Sequence, residues 1–138
     1  MIVAAGVSFE AQEPLPALTV YKSPACGCCV KWIDYMRARG FSVKTVDVES
    51  IAEVKRTWGV PTNLSACHTT IAGSYVIEGH VPADVVTRFL RERPPVAGIA
   101  VPGMPLGSPG MEQPTGRVEP YAVMSFDRTG RTAVYDHR

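Results

Sequence analysis

Leu18-Thr19-Val20-Tyr21-Lys22-Ser23-Pro24-Ala25-Cys26-Gly27-Cys28-Cys29-Val30-Lys31-Trp32-Ile33 runs from strand character into helix character across a cluster of thiols. Leu18 to Tyr21 is apolar or β-branched throughout and predicts a short buried strand. Ser23-Pro24 breaks it, and from Cys29 the apolar positions Cys29, Trp32, Ile33 and Met36 follow helical spacing up to a stop at Gly40. Three cysteines in four residues therefore sit at a strand-to-helix junction. Unpaired N–H groups and the positive end of the helix dipole there favour thiolates, which makes the cluster reactive, metal-binding or both. Inert buried cysteines are a poor account of three thiols flanked by Gly and Pro.

Downstream, Phe41 to Val48 alternates and predicts a second strand; Ile51, Val54 and Trp58 predict a short helix closed by Gly59 and Pro61. Cys67-His68-Thr69-Thr70-Ile71 and Tyr75-Val76-Ile77-Glu78 read as an antiparallel hairpin turning at Gly73. Pro82 suits a first helical position, and Val85, Val86, Phe89 and Leu90 form the apolar stripe of a last helix ended by Pro94-Pro95. The order β-α-β-α-β-β-α predicts an α/β fold with a mixed sheet and helices on both faces. Beyond Arg93 the chain takes 7 of its 12 prolines and 6 of its 12 glycines. That composition excludes a helix or central strand over residues 100–112 and predicts a wrapping loop. Strand character returns at Tyr121–Phe126 and Thr132–Tyr135, a hairpin. The expected division is 1–16 as an N-terminal segment, 17–93 as the α/β domain, and 94–138 as a Pro/Gly-rich C-terminal extension packed on it.

Composition narrows the functional classes. A 138-residue chain with 14 Lys and Arg against 13 Asp and Glu has a formal net charge of +1 and no basic run, which argues against a nucleic-acid partner. Mean hydropathy is +0.04, and no apolar stretch reaches the roughly 18 residues of a membrane span. Met1 to Ala11 is small and apolar without a basic leader, and is read as the tail of an export signal.

The order of elements brings the start of the Cys67 strand beside the loop entering the first helix, so Cys26, Cys28, Cys29 and Cys67 are expected to converge. Cys26 with Cys29, or a cluster cysteine with Cys67, are the expected disulfide pairs. One crowded trio and one remote cysteine differ from the separated ligand pairs of a structural zinc site and favour soft monovalent copper. Zinc and an iron–sulfur cluster on the four cysteines remain alternatives. His80, at the turn into the last helix, is a candidate ligand. His68 is a ligand or a structural group, and a regular strand turns it away from Cys67. Met104 and Met111, each in a Pro-Gly-Met setting, are either apolar filler or thioethers over a copper site. His137 is expected in solvent, and Trp32 and Trp58 in the core.

The motifs Tyr21-Lys22-Ser23-Pro24-Ala25-Cys26-Gly27-Cys28-Cys29-Val30-Lys31-Trp32, Leu64-Ser65-Ala66-Cys67-His68-Thr69, Tyr75-Val76-Ile77-Glu78-Gly79-His80-Val81-Pro82, and Val101-Pro102-Gly103-Met104-Pro105 through Gly107-Ser108-Pro109-Gly110-Met111-Glu112 resemble the DUF411 family. That family includes the CopG-type periplasmic copper proteins of bacteria. The resemblance implies a thioredoxin-like fold, export to the periplasm and a role in copper resistance alongside other periplasmic copper-handling proteins. It implies Cu(I), as one or several ions, on Cys26, Cys28, Cys29 and Cys67, and the matched motifs extend the candidate set to His80, Met104 and Met111. A copper-binding protein with Cu(I)/Cu(II) redox capacity is thus the first reading. A thiol–disulfide oxidoreductase, with Cys26 as nucleophile and Cys29 as resolving thiol, is the second.

Overall fold

Strand β1 (Leu18–Lys22) alternates buried and half-buried residues and lies inside the sheet, parallel to β2 (Val43–Asp47) and antiparallel to β3 (Thr69–Ala72). The computed structural model describes Gly6 and residues 14–138, so the export signal read into the first residues lies outside it. Between β1 and β2, helix α1 (Gly27–Ala38) buries Cys29, Trp32, Ile33 and Met36, the four positions its spacing predicts. Helix α2 (Ile51–Thr57) follows β2 and is capped by Ser50, whose hydroxyl accepts from the Glu53 N–H at 3.4 Å. A 3-10 turn (Thr62–Leu64), β3, β4 (Tyr75–Glu78) and helix α3 (Ala83–Glu92) complete the expected order.

The sheet continues past that point, in the order β2-β1-β3-β4-β5-β6-β7. The link is β5 (Gly98–Ala100), a three-residue strand absent from the expected elements, which corrects the exclusion of a central strand at Ala100. It runs parallel to β4 and antiparallel to β6 (Ala122–Phe126), which pairs with β7 (Thr132–His137). All three β5 residues are buried, so it shows no alternation from which to be read. Gly98 also has no room for a side chain: a Cβ there would lie 2.2 Å from the Val76 carbonyl oxygen. The C-terminal hairpin is thereby stitched into the same seven-stranded sheet as β1.

Two cores form, one on each face. Trp32, Ile33, Met36, Val85, Val86, Phe89 and Leu90 pack with Leu18, Val20 and Ile77 under α1 and α3. Leu64, Val76, Ala100 and Phe126 close the other face. Glu78 shares that second face with Val76 by strand alternation, and α2 meets it there through Lys55, the buried residue of that helix. Trp58 departs from the expectation of a core residue. It is the C-cap of α2 and 39% exposed, because the residue that this helix turns inward is Lys55, with Ile51 and Val54 only half-buried. Pro82 likewise is the N-cap, one residue before the helix. Among the described residues no helix is long and apolar enough to cross a membrane.

The end of α3 supplies a first prediction. Arg93 closes the helix with φ 50°, the one positive φ outside glycine among the described residues. A side chain costs about 1–2 kcal/mol in that conformation, and glycine adopts it freely. After allowing for glycine's extra chain entropy, Arg93→Gly is expected to stabilise the protein by roughly 0.5–1 kcal/mol, read as a higher chemical-denaturation midpoint with an unchanged slope.

Candidate metal centre

Ser23 and Cys26 make the turn that delivers the chain from β1 into α1: the Cys26 N–H donates to the Ser23 carbonyl at 3.1 Å, and Cys26 is the helix N-cap. Cys28 and Cys29 follow in the first turn on different faces. Cys29 points into the core and is fully buried; it is bonded to Cys26 in a disulfide with a Cα–Cα separation of 5.4 Å. That is one of the two expected pairings. Cys28 turns outward and keeps a free thiol.

Cys28 is the centre of a sulfur cluster. Its Sγ lies 3.5 Å from Cys26 Sγ, 3.8 Å from Cys67 Sγ and 3.7 Å from the thioether of Met104. The sulfurs of Cys26, Cys28, Cys29 and Cys67 all fall within 4.8 Å of one another. Cys67 belongs also to a second group with His68 and His80, whose ligand atoms fall within the same limit. Its Sγ is 3.1 Å from His68 Nδ1 and 3.0 Å from His80 Nε2. Cys67 thus joins a sulfur-rich half to a nitrogen-bearing half.

His68 does not turn away from Cys67. Cys67 and His68 precede β3, which starts at Thr69, so strand alternation does not govern them. The His68 ring stays beside Cys67, tilted against Trp32 with ring centres 4.7 Å apart and edge-on to His80 at 5.1 Å. His68 Nε2 is buried with no hydrogen-bond partner among the described residues. Trp32 is core as expected, yet also a wall of the site.

The C-terminal extension closes the site from above. The Pro109 carbonyl lies 2.6 Å from His80 Nδ1. A carbonyl can only accept, so Nδ1 carries the proton and the neutral ring presents a lone pair at Nε2, toward Cys67. Gly110 follows with φ +89°; a Cβ there would stand 2.9 Å from His80 Nδ1 and 3.1 Å from the Trp32 amide nitrogen. Glu112 returns its carboxylate to the Gly110 N–H at 3.0 Å. Met104 is 49% exposed and touches Cys28, whereas Met111, half-buried on the same loop, makes no such contact with a free thiol among the described residues. His137 is exposed at the far end of β7.

Burial sets the electrostatics. It pushes the Cys67 thiol up to about 12, with the neighbouring Cys28 acting in the same direction. Burial also carries His68 well below its ordinary range, with His80 and then Lys55 adding to the effect. His80 is lowered by burial too, while the Pro109 carbonyl and the Glu112 carboxylate act in the opposite direction. Both imidazoles are therefore neutral at neutral pH, with lone pairs for a cation, and Cys67 is a thiol until a cation replaces its proton. Soft sulfur with imidazole nearby is a donor set that fits monovalent copper.

Several participants were not singled out from sequence. Pro109 and Glu112 act through backbone geometry that no motif spacing displays. Glu78 did carry a signal: an acidic residue in an otherwise apolar strand, two positions before His80.

Comparison with known proteins agrees with this geometry. A family model described as a protein of unknown function, DUF411, matches residues 64–111. Two solved structures of a copper resistance protein CopG, form 1 and form 2, are similar over 91% of this chain. Form 1 is 39% identical with a TM-score of 0.84 over 98% of its own length, and form 2 is 41% identical with a TM-score of 0.85 over 99%. A comparison with curated proteins returns no match.

Proposed function

The chain belongs to the DUF411 family of CopG-like proteins, and from that premise we propose that it holds Cu(I) as cargo in the Cys26, Cys28, Cys29 and Cys67 cluster, with Met104, His80 and His68 as flanking donors. The observation that carries this reading is the position of Cys28, with two cysteine sulfurs and a thioether within 3.8 Å of one thiol. Such crowding suits sulfurs that bridge more than one soft ion. Met111, on the same loop as Met104, is a further thioether donor in this proposal.

The Cys26–Cys29 disulfide adds a redox capacity. When the two thiols close into that bond they release two electrons and two protons, and one electron reduces each of two Cu(II) ions to Cu(I). In the other direction, two Cu(I) ions each give up one electron to become Cu(II), and the bond takes those two electrons with two protons to restore the two thiols. The proposed setting is the periplasm, in copper resistance or homeostasis alongside other copper-handling proteins, with residues 94–138 acting as one unit with residues 17–93.

An anaerobic Cu(I) titration against a coloured chelator tests the reading. The fully reduced protein is expected to hold more than one copper per chain, and the Cys26–Cys29 oxidised protein fewer, since two of four thiolates are then spent in a bond. No copper held by the reduced protein would overturn the proposal. The second reading, a thiol–disulfide oxidoreductase, draws on the same disulfide and on Cys28 standing 3.5 Å from Cys26. Insulin reduction that persists with copper chelated would place it first.

A further inference from the structure

Lys55 and Glu78 form an ion pair in the interior, with Glu78 fully buried and Lys55 nearly so. Removing two charges from water is expensive, and apolar residues of similar volume usually serve stability as well. Bulk stability is therefore a weak account of this pair, and its position suggests a better one. One oxygen of the Glu78 carboxylate accepts from Lys55 and from the Ala66 N–H at 2.8 Å; the other accepts from the Thr69 hydroxyl at 2.6 Å. Lys55 Nζ also donates to that hydroxyl at 3.0 Å. Ala66 and Thr69 bracket Cys67 and His68.

The residue after Glu78 completes a clamp. The Gly79 N–H donates to the His68 carbonyl at 3.1 Å, and a Cβ at Gly79 would stand 2.5 Å from the Ala66 Cβ. The Cys67 segment is thus held at Ala66 by the carboxylate, at His68 by the next amide, and at Thr69 by both charged groups. α2 reaches this segment through Lys55.

We infer that the buried Lys55–Glu78 pair is a positioning device for copper binding, fixing the Ala66–Thr69 segment so that Cys67 Sγ faces Cys28 on one side and the two imidazoles on the other. The inference rests on the copper reading above. Neither residue touches the cargo; both act through Cys67, as outer-shell partners orient a ligand.

The test replaces the pair by a neutral one of similar shape, Lys55→Met with Glu78→Gln, so that no charge is left buried alone. Three quantities are read: hydrogen exchange of the Ala66 amide in the metal-free protein, thermal unfolding, and Cu(I) held by the reduced protein against a chelator. The charge-assisted bond to Ala66 becomes a weaker neutral one. Exchange at Ala66 is expected to quicken, and the copper to be held roughly tenfold less tightly, while the unfolding midpoint stays near wild type. Copper held as tightly as in wild type, or an Ala66 amide as protected as before, would overturn the inference and leave the copper reading standing. A wild-type protein that takes up no copper would overturn the copper reading, and this inference with it. Should the double variant not fold, Thr69→Val removes only the hydroxyl shared by the two charges; a smaller change in the same direction in both Ala66 exchange and copper retention is expected, and no change overturns the inference.

Discussion

Cys28→Ser is expected to reduce the copper capacity of the reduced protein from several ions to at most one, and to weaken retention of that one by roughly a hundredfold, about 2.7 kcal/mol. Cys28 Sγ is the atom common to three sulfur contacts, to Cys26, Cys67 and Met104. A hydroxyl oxygen is hard, shorter-bonded and ill-suited to bridging soft ions. The fold is not at issue, because Cys28 is half-exposed in the first turn of α1 and the core cysteine of that turn is Cys29. The Cys26–Cys29 bond forms without it. Anaerobic titration against a chelator, with far-UV circular dichroism to verify the helix, measures the effect. An unchanged copper number would remove Cys28 from the centre of the cluster and sink the bridged arrangement.

How far this centre could be read from the chain depends on whether each part is local or assembled. Cys26, Cys28 and Cys29 lie within four residues at a strand-helix junction, so spacing alone displays them. Cys67 is 38 residues further on than Cys29, and its convergence followed from the order of elements. The imidazoles were harder. Strand alternation from Cys67 misplaces His68, because the regular strand starts only at Thr69, and the preceding segment is held by the Glu78 carboxylate at Ala66 and the Gly79 N–H at His68. That is a tertiary effect with no periodic signature. The same holds for β5, which is too short and too buried to alternate. Trp58 departs in the opposite sense: apolar spacing marks the face of Ile51, Val54 and Trp58, but the residue α2 buries is Lys55, whose ammonium meets Glu78.

The extension after Arg93 was legible as a loop and illegible as a lid, and one glycine carries the difference. Gly110→Ala is expected to lift the Pro109–Glu112 segment off His80. Two penalties act together. The backbone at φ +89° disfavours any side chain by about 1–2 kcal/mol. The new Cβ also meets His80 Nδ1 at 2.9 Å and the Trp32 amide nitrogen at 3.1 Å; one belongs to a buried ring and the other to helix backbone, so neither can give way cheaply. Relief requires the loop to retreat, which breaks the 2.6 Å bond from His80 Nδ1 to the Pro109 carbonyl, worth roughly 1 kcal/mol. Gly130→Ala, at φ +86° in the β6–β7 turn with nothing within 4 Å of the new Cβ, imposes the backbone penalty alone and is the control. Against it, Gly110→Ala is expected to free the His80 ring to exchange tautomers, seen in its imidazole nitrogen resonances, and to weaken copper retention about tenfold. If His80 keeps its Nδ1 proton and both variants hold copper alike, the Pro109–Glu112 segment is a covering and not part of the centre.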